Sequence, residues 1–188
     1  MKETVAIVAS LLAIVGNVPY VWDVLRGKVK PHPYTWFVGS IVSCIIFFGQ
    51  LAKGAGIGAL PTASSEIFTL IIFVLSLRFG FKKITKTDTL FLVVALLAIA
   101  PWIITKDPTL SVIIAVAIDL IAFVPTVRKT WRYPKTEAPL LYGMNVSRHI
   151  LALFSLQAYN IATTLHSIAM IVINTLMTVL ILKPKYKK

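Results

Sequence analysis

The sequence predicts an all-α membrane protein: seven transmembrane helices as two parallel three-helix bundles plus a linker helix (3+1+3), with the N-terminus outside and the C-terminus cytoplasmic. Three observations carry that prediction. Apolar residues fall in blocks of about 20, the length that crosses roughly 30 Å of hydrocarbon. Lysine and arginine crowd alternate loops. A pattern of prolines and valines near residue 20 returns 106 residues later.

Each block has its own punctuation. The first, 5–25, has Lys2 as its only preceding basic residue and no convincing signal-cleavage site, so it reads as a helix and not as a leader. The second, 34–52, follows Pro33, an ordinary helix-start residue, and stops at Lys53. The third, 60–77, stops at Arg78, and the fourth, 88–105, falls within a linker helix assigned to 87–105. The fifth, 108–127, ends before Arg128; the sixth, 138–158, opens around Pro139; the seventh, 161–182, stops at Lys183. No segment reads as an interdomain linker, so residues 1–188 are expected to form a single membrane domain.

Composition agrees with a lipid solvent. Of 188 residues, 57% are hydrophobic and 14% charged, a balance that soluble domains rarely show. The net charge of +12 would in a soluble chain raise the question of nucleic acid. Here fifteen basic residues lie in the loops after helices 1, 3, 5 and 7, and only Lys2, Lys53 and Lys106 lie on the other side. The excess is therefore a topology signal, cytoplasmic where it is dense, and a surface for anionic lipid, with no nucleic-acid partner. The single Cys44 excludes a disulfide framework and a cysteine metal cluster.

The repeat sets the architecture. Val18, Pro19, Val21, Arg26 and Pro33 recur as Val124, Pro125, Val127, Arg132 and Pro139. Three helices reverse the chain's side, so an intervening helix 4 makes the two copies, 1–80 and 107–183, parallel. Pro19 and Pro125 each delete a backbone hydrogen bond inside a helix, and Pro33 and Pro139 begin one. These four are read as hinge positions. Trp36 and Tyr142 overlay in the repeat and are gate candidates, against an alternative role in the interfacial aromatic belt with Trp22 and Trp102.

Polar groups at mid-membrane depth are costly and are the natural site candidates. At ~1.5 Å of rise per residue, Asp119 lies roughly 14 Å and Glu66 roughly 18 Å from the basic end of its helix. Asn174 and Arg148 are similarly deep. Helix 7 carries Thr163, Ser167, Met170, Asn174 and Thr178 on one face, and helix 3 carries Thr62, Glu66, Thr69, Phe73 and Ser76. Asn145, Arg148 and His149 share a face of helix 6. Asn174, Glu66, Asn145, Arg148, Asp119 and Thr178 are thus expected to bind substrate. An unpaired Arg148 would cost several kcal/mol, so it is expected to pair with Asp119 or Glu66, as part of a site or as a structural salt bridge. Two acids against one arginine leave one acid uncompensated, which makes Glu66, Asp119 and His149 candidates for proton coupling.

Seven helices as 3+1+3, with a proline in or at the start of helices 1, 2, 5 and 6, resemble the SWEET sugar-transporter family and the wider PQ-loop group. The likeness is concentrated at 17–36 and 123–142, where Pro125-Thr126 and Lys135-Thr136-Glu137 are similar to family motifs. Neither Pro19-Tyr20 nor Pro125-Thr126 is the Pro-Gln pair of the wider group, and the tryptophan expected near a bound sugar has no clear counterpart. The resemblance implies an asparagine on each of helices 3 and 7 lining a sugar pocket; Asn174 matches and Glu66 departs. It also implies transport of a small polar solute by alternating access, facilitative or proton-coupled. The neutral groups suit a sugar, and Glu66, Asp119 and Arg148 suit an amino acid or another charged metabolite. The alternative is a non-transporting receptor or scaffold of the PQ-loop type, with Arg148 holding a ligand's carboxylate. No nucleophile–base pairing, metal-ligand spacing or phosphate loop points to an enzyme, a cofactor or a metal. Compact loops without sorting tails point to a prokaryotic plasma membrane, and a homo-oligomer is compatible with the sequence.

Overall fold

The structure, a computed structural model, describes residues 1–97 and 107–183. The end of the predicted linker helix 87–105, with Trp102, Lys106 and the last lysines, lies outside the described residues. Among the described residues seven helices follow one another: α1 (Lys2–Leu25), α2 (Pro33–Ala52), α3 (Leu60–Phe79), α4 (Lys86–Leu97), α5 (Pro108–Arg132), α6 (Pro139–Ser155) and α7 (Ile161–Leu182). Two 3-10 turns, Gly56–Ala59 and Pro134–Thr136, precede α3 and α6, and no strand occurs among the described residues.

The starts of these helices follow local chemistry. Pro33 and Pro139 take the first helical turn of α2 and α6, where a missing N–H costs nothing. Asp107 caps α5 by accepting from Thr109 N at 2.8 Å. Asn160 and Thr163 form a reciprocal capping box at the start of α7. Pro19 and Pro125 sit inside α1 and α5, as predicted. Two ends differ from the expected ones. Helix α5 continues to Arg132, past the end of its apolar block at 127, because Lys129 turns inward and is fully buried. Helix α6 stops at Ser155, since Leu156 is extended and turns the chain toward α7.

Among the described residues five stretches are long and apolar enough to cross a membrane: Lys2–Leu25, Pro33–Ala52, Gly56–Phe79, Pro108–Arg132 and Ile161–Leu182. The other two predicted crossings fall short on different grounds. Helix α6 has 17 residues and carries Asn145, Arg148 and His149, under the ~20 apolar residues a span needs. The described part of α4 is 12 residues. The surface carries large apolar side chains and the interior holds polar groups beside its apolar core: Phe48, Ile67, Val74, Phe154 and Val172 are exposed, while Asn17, Thr35, Asp119, Arg148, His149 and Asn174 are buried. That arrangement suits lipid.

Helix α3 packs on both α1 and α2, and α7 packs on both α5 and α6. The halves meet through α1 against α6 and α2 against α5, and α4 rests on α5 and α2. Small residues let these backbones approach, as in membrane interfaces generally. A Cβ on Gly16 of α1 would stand 3.0 Å from Met144 Cβ of α6, and one on Gly49 of α2 would overlap a methyl of Val112 on α5. The largest apolar core joins Val38, Val42 and Ile46 to Val112, Ala115 and Ile118, between α2 and α5.

Candidate functional site

Where the six helices other than α4 converge, they leave a polar cavity of about 90 Å³. A water needs ~10–15 Å³ on this measure, so the space suits several waters or one compact solute. Helix α1 supplies Asn17; α2 supplies Thr35, Trp36, Gly39 and Ser43; α3 supplies Thr62, Ser65 and Thr69. From the other half come Asp119, Phe123 and Thr126 of α5, Tyr142, Asn145, Arg148 and His149 of α6, and His166, Met170 and Asn174 of α7.

Arg148 dominates one wall. Its Nη1 donates to Pro61 O at 3.1 Å, its Nε to Asn145 Oδ1 at 3.3 Å, and its Nη2 lies 2.7 Å from His149 Nε2. A guanidinium only donates, so His149 accepts at Nε2 and keeps its proton on Nδ1, which faces Ser167 Oγ at 3.4 Å. His166 stands edge-on to His149, with ring centroids 5.3 Å apart. Asn145 Nδ2 reaches Asn174 Oδ1 at 3.4 Å, and Asn174 Nδ2 donates to Met170 O at 2.7 Å. Asn17 mirrors this on α1, donating to Ala13 O at 2.7 Å.

Asp119 faces the same cavity from α5. It makes no hydrogen bond or ion pair with any described residue, and its Oδ1 would stand 3.9 Å from a Cβ built on Gly39. The expected partnership of Arg148 with Asp119 or Glu66 is therefore not formed. The physical reason is that Arg148 is met by neutral acceptors on its own helix and at the start of α3. Glu66 does not line the cavity. Its carboxyl oxygens are buried without a hydrogen-bond partner, beside Ser43 and Cys44 of α2. Thr178 lies one turn beyond Asn174, donating to its carbonyl at 2.9 Å, and also stays out of the cavity lining.

At the end bearing the four prolines, a network unforeseen in the sequence joins the halves. Lys129 and Glu137 form a fully buried ion pair. Lys129 Nζ also donates to Lys30 O at 2.7 Å, and Tyr20 Oη donates to Glu137 Oε2 at 3.0 Å. Just inside, Thr126 Oγ1 donates to Thr35 Oγ1 at 2.9 Å and Thr35 Oγ1 to Ala122 O at 2.7 Å. Trp36 stacks obliquely on Tyr20 at 5.6 Å and Tyr142 is buried, so both gate candidates lie inside the bundle and line the cavity. Among the described members of the set, Trp22 is exposed and faces outward. Lys129 and Glu137 looked like loop charges, and the only hint was their place in the segment that resembles family motifs.

The opposite end is bridged as well. Ala55, Ala59 and Leu156 form a small buried core, Gln157 N donates to Ala55 O at 3.3 Å, Asn160 Nδ2 to Lys53 O at 3.0 Å, and Lys2 Nζ to Leu156 O at 2.7 Å. Near the proline-bearing end, Asp88 at the start of α4 accepts from Nε and Nη2 of Arg128 and lies 3.6 Å from His32 Nε2, fastening α4 to α5. Among the described residues, no group of three histidine, cysteine or acidic side chains is placed to hold a metal.

Fold and site together define an all-helical, multi-pass membrane protein with a charged and amide-lined interior cavity. Compared with protein-family models, with curated proteins and with solved structures, the chain matches none.

Proposed function

We propose that this chain carries a small polar solute across a prokaryotic plasma membrane by alternating access, as a SWEET-like or PQ-loop-type transporter. Its two parallel three-helix units, α1–α3 and α5–α7, rock against each other with α4 as the link. The N-terminus is outside, the proline-bearing end is cytoplasmic, and the basic residues there contact anionic lipid. The observation that carries this reading is the central cavity, lined by all six helices of the two units and bridged at each end by contacts from both. A site that both units build, with separate closures above and below, is what alternating access requires. Sugars would use Asn145, Asn174 and the threonines; charged solutes would use Asp119 and Arg148. Glu66, Asp119 and His149 are the proton-coupling positions.

Reconstitution in liposomes tests the reading with a panel of labelled sugars and small amino acids. Saturable counterflow of one solute, sharply reduced by Asn174→Ala, is the expected result. A panel member that stabilises the purified protein without any flux would overturn transport in favour of a receptor. An imposed pH gradient then separates facilitated from proton-coupled flux.

A further inference from the structure

We infer that the central cavity takes a small zwitterion, with its carboxylate on Arg148 and its ammonium on Asp119. The inference deepens the transport reading and rests on it only in placing the solute in this cavity.

Two ionisable groups of opposite type face one cavity, and neither has a counter-charge among the described residues. Arg148 is 5% exposed and Asp119 7%. The ion pairs among the described residues involve Asp23, Asp88, Asp107 and Glu137, never Asp119, and no acid is paired with Arg148. A buried charge without a counter-charge costs several kcal/mol, whereas the same charge is tolerated when a ligand completes it. Three of the five N–H groups of Arg148 go to Asn145, Pro61 and His149. What remains is one N–H on each terminal nitrogen, and both are donors that a carboxylate can accept from. On the other side, Asp119 has no donor among the described residues, and Gly39 leaves the space before it free of side chain. An ammonium supplies the missing donors and charge in one group.

Simpler ligands fit less well. A sugar would leave both charges uncompensated. A monocarboxylate would leave Asp119, and an amine would leave Arg148. Direct contact between Arg148 and Asp119 would dispense with a ligand, but Arg148 is held by neutral acceptors on α6 and α3 while Asp119 stands on α5. The small volume restricts the solute to a compact molecule such as glycine, β-alanine, L-alanine or L-serine.

The test measures thermal stabilisation and liposome flux side by side, with those four zwitterions, propionate, ethylammonium and glucose. At least one zwitterion is expected to bind about tenfold more tightly than propionate and ethylammonium. Asp119→Asn should abolish the preference over propionate, and Arg148→Gln the preference over ethylammonium. Because Arg148→Gln can impair folding, the ligand ranking of the unmodified protein is decisive by itself. Equal binding of propionate and the zwitterions overturns the inference, as does glucose binding or the absence of any zwitterion response. Glucose flux would overturn it while leaving the transport reading intact; zwitterion binding without flux would uphold it and sink transport.

Discussion

His32 is fully buried among Tyr34 and Phe81, with neither ring nitrogen hydrogen-bonded. Burial lowers its pKa to about 4 from the ordinary 6.5, although Asp88 opposes the shift and Lys129 and Arg128 add to it. A depressed pKa means that the unfolded chain binds the proton first. Stability is therefore complete above pH ~6.5 and falls as pH drops toward ~4, by about 3 kcal/mol from this group. Thermal midpoints across that window should fall in the wild type and fall much less in His32→Phe, which keeps an aromatic ring and removes two unpaired nitrogens. Side-chain roles at this scale were only partly legible. Depth along a helix follows from residue counting, so Asp119, Glu66, Arg148 and Asn174 are placed near the middle. Rotation about the helix and the choice of partner do not, which is why Glu66 was grouped with the cavity and Arg148 with an acid. The cavity positions Asn17, Thr35 and His166 look in sequence like any polar residue in an apolar block.

Between elements, close approach and buried charge decide what is tolerated. Gly49→Ala would push a methyl into Val112 on a rigid, β-branched side chain, and should cost about 1–3 kcal/mol by separating α2 from α5. Chemical or thermal unfolding in detergent measures it. The Lys129–Glu137 pair makes a different prediction. Glu137→Leu alone strands a buried ammonium and should lose about 3–5 kcal/mol, whereas Lys129→Met with Glu137→Leu should recover most of that. A double-mutant cycle on the melting midpoint checks it. The helices themselves were legible because their stops are chemical: Pro33 and Pro139 at starts, Lys53 and Lys183 just past ends. Of the two ends that differ, α5 outran its apolar block because a lysine there is paired inside the protein, and a pair eight residues apart with a turn between its members leaves no periodic trace.

For the molecule as a whole, the recurrence of Pro19 and Pro33 as Pro125 and Pro139 was the strongest sequence signal, and both pairs occupy equivalent helical positions. In the proposed cycle, Pro19→Ala with Pro125→Ala stiffens α1 and α5 by restoring backbone hydrogen bonds. Flux should slow more than solute affinity weakens; weakened affinity at unchanged flux would sink the hinge role. The chain repeats its prolines and not its buried ionisable groups, so a repeated proline pattern surrounds an asymmetric set of buried charges. The Lys129–Glu137 pair shows what that asymmetry permits. Both partners belong to the second unit, while the first contributes only a phenol and a backbone carbonyl, from Tyr20 and Lys30. Parting the units at this end would break the two hydrogen bonds that the pair makes to the first unit but leave the ion pair together, so the pair rides as one electroneutral body and no charge is pulled from its counter-charge in a low dielectric. The step is then limited by contacts of about 1.5–3 kcal/mol each, and the latch adds no net charge movement by which membrane voltage could drive or oppose it.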